Sequence, residues 1–520
     1  VNPRPIILLS LSWLAPPPAP TQTLPTADPV LQRIWDEGMA RSQAMRLMQT
    51  LADSIGPRLT GSPGIRAGQE WLVATYESWG VPARNERYGT WPGWRRGVTH
   101  LDLVRPRVRS LEATMLAWSP GTGGRPAEGG AVVLPELADS VAFRAWLPSV
   151  QGRFVLISQP MRSCRPDSSY RAFALPEAFA RLAEERNAER TAWTRRLQAT
   201  GHNGRDLPGV LERAGAIGVL TSLWSEGWGV TKIFQARTRQ APTLDLSCED
   251  YGLVYRLAEA NQGAALRLYA EAEFEGDVPV ANTIAELKGS ELPNEYVMLS
   301  AHFDSWDGAS GATDNGTGSV LMLEAMRILR AVYPRPKRTI LVGHWSGEEQ
   351  GLNGSRAFVQ DHPEVVEGLQ ALFNQDNGTG RVVNMSASGL VNASRYLAGW
   401  LSRLPNEITR HITFGFPGRP PGGGSDHASF VCSGAPGFGL GSLGWEYGTY
   451  TWHTNRDTFD KVVLDELRSN AVLAAMLAYL AAEEPERVPR DRRLMGGSGP
   501  GPRSWPACAP PARSVEESRR

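Results

Sequence analysis

The sequence predicts an α/β protein with a mixed central sheet flanked by helices and a strand-rich segment inserted into it. Three features of the chain imply this. After Val280, short apolar runs alternate with Gly-rich loops and helix-period stretches, the order that strands, loops and helices follow in α/β sheets. Between about 112 and 263 the texture changes to short apolar runs divided by Gly and Pro, which marks a separate insert. A chain of 520 residues with 41% apolar composition can also bury a large core and divide into two or three domains.

The elements follow in order. The first 25 residues carry Arg4, an apolar run over 6–15 too short to span a bilayer, and Pro-rich small residues. This is the pattern of a secretory signal peptide, and it implies a secreted or periplasmic protein with no membrane insertion once the signal is removed. Ala44, Leu47, Met48 and Leu51 recur at helical spacing, Leu72, Tyr76 and Trp79 do so again, and a Gly-Ser-Pro-Gly turn at 61–64 separates the two helices. Within the insert, 131–134, 154–157 and 217–220 read as strands and the charge-dense 177–198 as a solvated helical arm. Next come a strand at 296–301, a Gly-rich loop at 308–318, a helix at 319–332 and a strand at 339–343. The apolar stretch 464–480 is expected to be a helix lying on the sheet, and the Pro, Gly and Arg-rich 486–520 a disordered tail. Residues 28–111 and 264–485 thus form a discontinuous main domain around the insert at 112–263.

Lys plus Arg and Asp plus Glu each number 54, so no global charge favours nucleic acid or an anionic membrane, and no nucleic-acid partner is expected. Cys164, Cys248, Cys432 and Cys508 include no C-x-x-C spacing, which argues against a thiolate metal site. It leaves a disulfide open, with pairing unassigned.

Chemistry concentrates in the second half. Functional loops of open α/β sheets leave the carboxyl ends of strands, and His302, Glu348 and Asp376 each follow an apolar, strand-like run. Residues two apart on a strand share a face, so His302 and Asp304 project together. A metal-binding His usually donates its second ring nitrogen to an acceptor, and Asp304 is expected to be that acceptor. Asp314 lies in a Gly-rich loop before a helix, where a short carboxylate can lend one oxygen to each of two metals. No P-loop Lys and no full dinucleotide glycine spacing accompany it. Glu348 and Glu349 are adjacent, so one can bind metal, Glu349, while the other, Glu348, cycles a proton. With Asp376 and His453 the set holds two imidazoles and three metal-binding carboxylates, a mixture that suits Zn²⁺ better than Ca²⁺ or Mg²⁺. Zn²⁺ lowers the pKa of a bound water to about 7. Singly these motifs are weak, because Glu-Glu pairs are usually surface charge and H-x-D is common at strand ends.

Taken together and in this order, His302-x-Asp304, the Asp314 loop, Glu348-Glu349, Asp376, Ser425-Asp426-His427 and His453 resemble the co-catalytic zinc exopeptidases. That family includes bacterial leucyl aminopeptidases and the plasma glutamate carboxypeptidase and prostate membrane antigen types, and the resemblance runs over about 31–482. It implies two Zn²⁺ ions, one on His302 and Asp376, the other on Glu349 and His453, bridged by Asp314. It also implies a protease-associated domain at 112–263 and a peptide substrate cut at a chain end, with removal of N-terminal residues as the leading expectation. The free α-amino group would then pair with Glu348, Asp376 or Glu446. A carboxypeptidase or dipeptidase, or an N-acyl-peptide deacylase, stays open on the same metals, as do a non-catalytic receptor-like protein and a homodimer. A one-zinc glutaminyl cyclase is opposed by the two-metal set, and a serine hydrolase by the lack of G-x-S-x-G. Some relatives place a Tyr before the last His ligand to steady the oxyanion; this chain has Trp452, with Tyr447 and Tyr450 nearby as substitutes. His344 reads as structural and His427 as a supporting residue.

Overall fold

In the computed structural model residues 27–495 and 504–518 are described, and the expected signal peptide at 1–25 lies outside them. Four parallel strands run side by side in the order Gly437–Ser442, Leu369–Asn374, Leu292–His302 and Arg338–Trp345. Alternation of side chains sends neighbours along each strand to opposite faces. Val297, Leu299, Ile340, Val342, Ala371 and Phe373 enter one core, with helices Pro29–Ala40, Thr317–Val332 and Leu464–Glu483. Met298, Leu341 and Leu372 enter the other, against Phe358, Val365 and Phe430 of the helices on the far face. Leu464–Glu483 is buried nearly all round from Asn470 to Ala482, as its unbroken apolar sequence implies. The sheet is mixed as expected, because Ala265–Leu287 joins Arg338–Trp345 antiparallel.

A feature with no forecast in the sequence is a long ribbon. Ala83–Arg105 and Ala265–Leu287, 23 residues each, pair antiparallel along their whole length. One end of Ala265–Leu287 pairs with Arg338–Trp345 and the other with Ala127–Val133, so the sheet passes without a break into the 112–263 segment. There, Ala127–Val133, Phe154–Leu156, Gly218–Thr221 and Thr243–Leu246 lie parallel in that order. Phe154, Leu220, Leu244 and Tyr251 pack with Trp94 and Leu266 of the ribbon. The charge-dense arm is the helix Pro176–Ala199, which buries only Leu182 and Trp193.

The tail differs from expectation wherever it is described. Cys508 is disulfide-bonded to Cys432, the Trp505 indole N–H donates to the carbonyls of Val431 and Cys432 at 3.1 Å each, and Arg513 pairs with Asp361 at 2.6 Å. Composition alone marks this stretch as unable to form a core; a covalent tie and a few specific contacts order it without one. Cys164 and Cys248 form a second disulfide.

Candidate metal centre

Because the central strands are parallel, their carboxyl ends share one edge of the sheet. His302 ends one strand, Glu348 and Glu349 follow shortly after Trp345, and Asp376 comes two residues after Asn374. Asp314 comes from the loop before Thr317–Val332, and two other residues hold that loop. The Asp457 carboxylate accepts the N–H of Thr313 at 2.7 Å and of Asp314 at 3.0 Å. The buried Arg58 guanidinium donates to the carbonyls of Gly56, Phe303, Ser310 and Gly311 at 2.7 to 2.9 Å. His453 arrives from the loop beyond Gly437–Ser442 with a left-handed backbone, φ 56°.

These elements bring all five expected ligands together in two groups. His302 Nε2 lies 3.0 Å from Asp376 Oδ1 and 3.4 Å from Asp314 Oδ1. His453 Nε2 lies 2.9 Å from Glu349 Oε2 and 3.3 Å from Asp314 Oδ2. Asp314 therefore offers one oxygen to each group. Within each group the donor atoms fall within 4.8 Å of one another, a spacing that can hold a metal ion. The residues fit a pair of cations. Asp314 Oδ2 and Glu349 Oε1 are buried without a hydrogen bond, Asp376 and Asp304 add further negative charge, and the buried Arg58 is committed to main-chain carbonyls. Mixed imidazole and carboxylate donors suit zinc.

Electrostatics express the same crowding. Burial pushes Glu348 well above the usual carboxylate range, with Asp376, Asp426 and Glu349 adding to the push. Burial does the same to Glu349, helped by Asp314. Burial opposes a charged His302, but Asp376 and Glu348 overcome it and hold the ring above its usual value. His453 drops to about 4 through burial, which outweighs Asp314.

Asp304 does not do what its spacing implied. His302 Nδ1 donates to the main-chain carbonyl of Asp304 at 2.9 Å, while the Asp304 carboxylate stands 3.7 Å off. That carboxylate instead accepts the N–H groups of Glu348 and Glu349, at 3.2 Å each, and the Thr60 hydroxyl at 3.3 Å. A carbonyl on the same strand end wins the imidazole because it is already in line, which frees the side chain to hold the next loop.

The remaining expected residues scatter around the cluster. The Tyr447 phenol faces Asp314, and burial raises its pKa further. Trp452 lies flat on His453, ring centroids 4.0 Å apart, so its indole braces the imidazole. Tyr450 abuts Gly227 of the 112–263 segment, and Glu446 is exposed and joins none of the ion pairs of the cluster. Asp426 is fully buried with both carboxylate oxygens unpartnered, and burial raises it to about 7. His427 lies against Asn374 and Gly439, and His344 is held 2.7 Å from the Tyr76 hydroxyl, away from the cluster.

Several residues had escaped the sequence reading. Trp306 donates its indole N–H to Glu349 Oε2 at 2.8 Å, and the Phe234 ring stands edge-on to His453 with centroids 5.0 Å apart. Trp306 and Asp457 lie within a few residues of His302 and His453, a proximity that could have flagged them; Arg58 and Phe234 carry no local signal. Beside Glu349, Gln350, Trp306 and Phe234 a cavity of about 600 Å³ opens, whose lining also includes Arg205 and Arg237.

The pattern of peptidase family M28 matches residues 282–478. Mouse carboxypeptidase Q is 24% identical over 462 residues, covering 87% of this chain and 88% of that protein, and the human protein is 25% identical over the same length and shares. Among solved structures, a peptidase M28 precursor from Shewanella amazonensis has a TM-score of 0.66 at 22% identity, covering 89% of this chain and 98% of that one. A zinc aminopeptidase from Bacillus subtilis has a TM-score of 0.54 at 17% identity, covering 86% and 96%. Both structural likenesses are of fold. Glu348 and every residue of the cluster lie inside the stretch that matches peptidase family M28, and these matches together indicate a metallo-exopeptidase of the co-catalytic zinc type.

Proposed function

We propose that this exopeptidase cleaves short peptides next to a free carboxyl end, as a carboxypeptidase or dipeptidase, using two Zn²⁺ ions. The observation that carries the choice of end is the cavity beside Glu349. Arg205 lines it together with Glu349, and a guanidinium group matches a carboxylate; Trp306, Phe234, Ile157 and Leu223 offer apolar walls for a side chain. The names of the carboxypeptidase Q relatives support the same end, whereas the aminopeptidase neighbour is alike in fold alone.

His302 and Asp376 would hold one ion, Glu349 and His453 the other, and Asp314 both. The ions would supply Lewis acidity and an acidified water. Glu348, set on the turn that Asp304 grips, takes the proton of the attacking water and returns it to the leaving amine nitrogen. Tyr447, kept protonated, donates to the oxyanion in place of the absent Tyr at 452. The two disulfides support export to an oxidising compartment, and no helix among the described residues is long and apolar enough to cross a membrane.

A second reading, cleavage at the amino end, draws on Asp426, whose buried unpartnered carboxylate beside Glu348 would suit an ammonium group. Product analysis on a tripeptide with one end blocked separates the two. A carboxypeptidase should cleave the N-acetylated peptide and not the C-amidated one, and a dipeptidase neither of them but the free dipeptide; cleavage of the C-amidated peptide alone would assign an aminopeptidase.

A further inference from the structure

His453 lacks the support that His302 has. His302 anchors its second ring nitrogen on a carbonyl, the usual way of aiming a metal-binding imidazole. His453 Nδ1 is buried with no hydrogen-bond partner. Its backbone is also left-handed, a conformation uncommon for a residue with a Cβ and kept only where the surroundings hold it.

Two consecutive residues of the 112–263 segment do the holding. The Ile233 N–H donates to the His453 carbonyl at 2.8 Å, and the ammonium of Lys232 donates to the Trp452 carbonyl. The peptide units on both sides of the His453 α-carbon are therefore tied to neighbours in one short strand-like stretch, which continues as a bridge between Lys232 and Thr454. The Lys232 ammonium also sits over the Trp452 ring, 4.6 Å from its centroid, and that ring stacks on His453. Lys232 is only 4% exposed and is itself fixed: its N–H donates to the buried Asp245 carboxylate at 2.8 Å, which also accepts the Thr221 hydroxyl at 2.8 Å and the Leu223 N–H at 2.9 Å.

We infer that Lys232 is the positioning residue for the His453 half of the metal centre: it fixes the backbone and the stacked indole that aim His453, replacing the hydrogen bond the imidazole lacks. The 112–263 segment is thereby part of the metal site as well as a wall of the substrate cavity. This rests on the zinc reading proposed above.

The test is zinc affinity of the purified full chain, by competition with a chelator, for wild type, Lys232→Met, Lys232→Arg and the surface control Lys288→Met. Met has an unbranched apolar side chain of similar length but cannot donate. Loss of an imidazole's supporting contacts costs about 10- to 100-fold in metal affinity, so Lys232→Met should release zinc at a chelator concentration at least about tenfold lower. Lys232→Arg and Lys288→Met should match wild type, and metal-free melting of Lys232→Met should stay near that of wild type. Should Lys232→Met not fold, Asn455→Ala loosens the same clamp from the other side, since Asn455 Oδ1 accepts the Thr231 N–H at 2.9 Å; a weaker loss in the same direction is expected. Wild-type zinc affinity in the folded variants overturns the inference alone. A wild-type chain that takes up no zinc overturns the zinc reading, and this inference with it.

Discussion

Asp304 Oδ1 accepts the main-chain N–H of Glu348 at 3.2 Å, so the strand that ends in His302 also sets the position of the proposed base on the neighbouring loop. Asp304→Asn keeps the shape but replaces one acceptor oxygen by a donor facing an N–H group. The turn should shift, and kcat should fall by about tenfold or more, since small misplacements of a catalytic group are costly. Bound zinc should be unchanged. Steady-state kinetics alongside elemental analysis reads both quantities, and wild-type kcat would contradict the positioning role.

Glu348→Gln removes the proton carrier without changing volume. It should fold and bind zinc as wild type does, with kcat lower by about 10²- to 10⁴-fold, the usual worth of a general base. Substantial turnover in the purified variant would assign the proton transfers elsewhere.

Asp314→Ala takes a ligand from both halves of the centre at once. Zinc content should drop for the whole pair, and the stabilisation that bound metal gives the native state should shrink in step. Melting curves with and without chelator, which should differ in the wild type and nearly coincide in the variant, check this. Two retained ions would reject the bridge.

His344 gives a pH prediction for stability that is independent of the metals. Burial lowers it to about 3 in the folded chain, against about 6.5 when exposed in the unfolded chain. Below pH about 6.5 the unfolded state binds a proton that the folded state refuses, so stability is lost as pH falls towards 3, at up to about 1.4 kcal/mol per pH unit. His344→Gln should flatten that slope between about pH 6 and 4. Denaturant titrations of metal-free protein at several pH values measure it, and parallel slopes for the two proteins would disprove it.

Much of the centre was legible because its residues sit at strand ends, where a two-residue spacing or an adjacent acidic pair has a fixed geometric meaning. His302, Asp314, Glu348, Glu349, Asp376 and His453 converge as their order implied. The job of Asp304 was not legible, since spacing shows that two side chains share a face and not that a nearer carbonyl will take the imidazole. Arg58 and Lys232 were invisible for a different reason: each acts on main-chain carbonyls far along the chain, which leave no trace in side-chain identity. The long strands of the ribbon escaped because they are only partly buried and carry four register shifts, so neither strict alternation nor an apolar run marks them.

The 112–263 segment is joined to the body twice, through the ribbon and through the residues that grip the His453 loop. A displacement of that segment would therefore pull on the loop that carries His453 as well as on the ribbon, so the two parts of the chain share one mechanical fate at the metal centre.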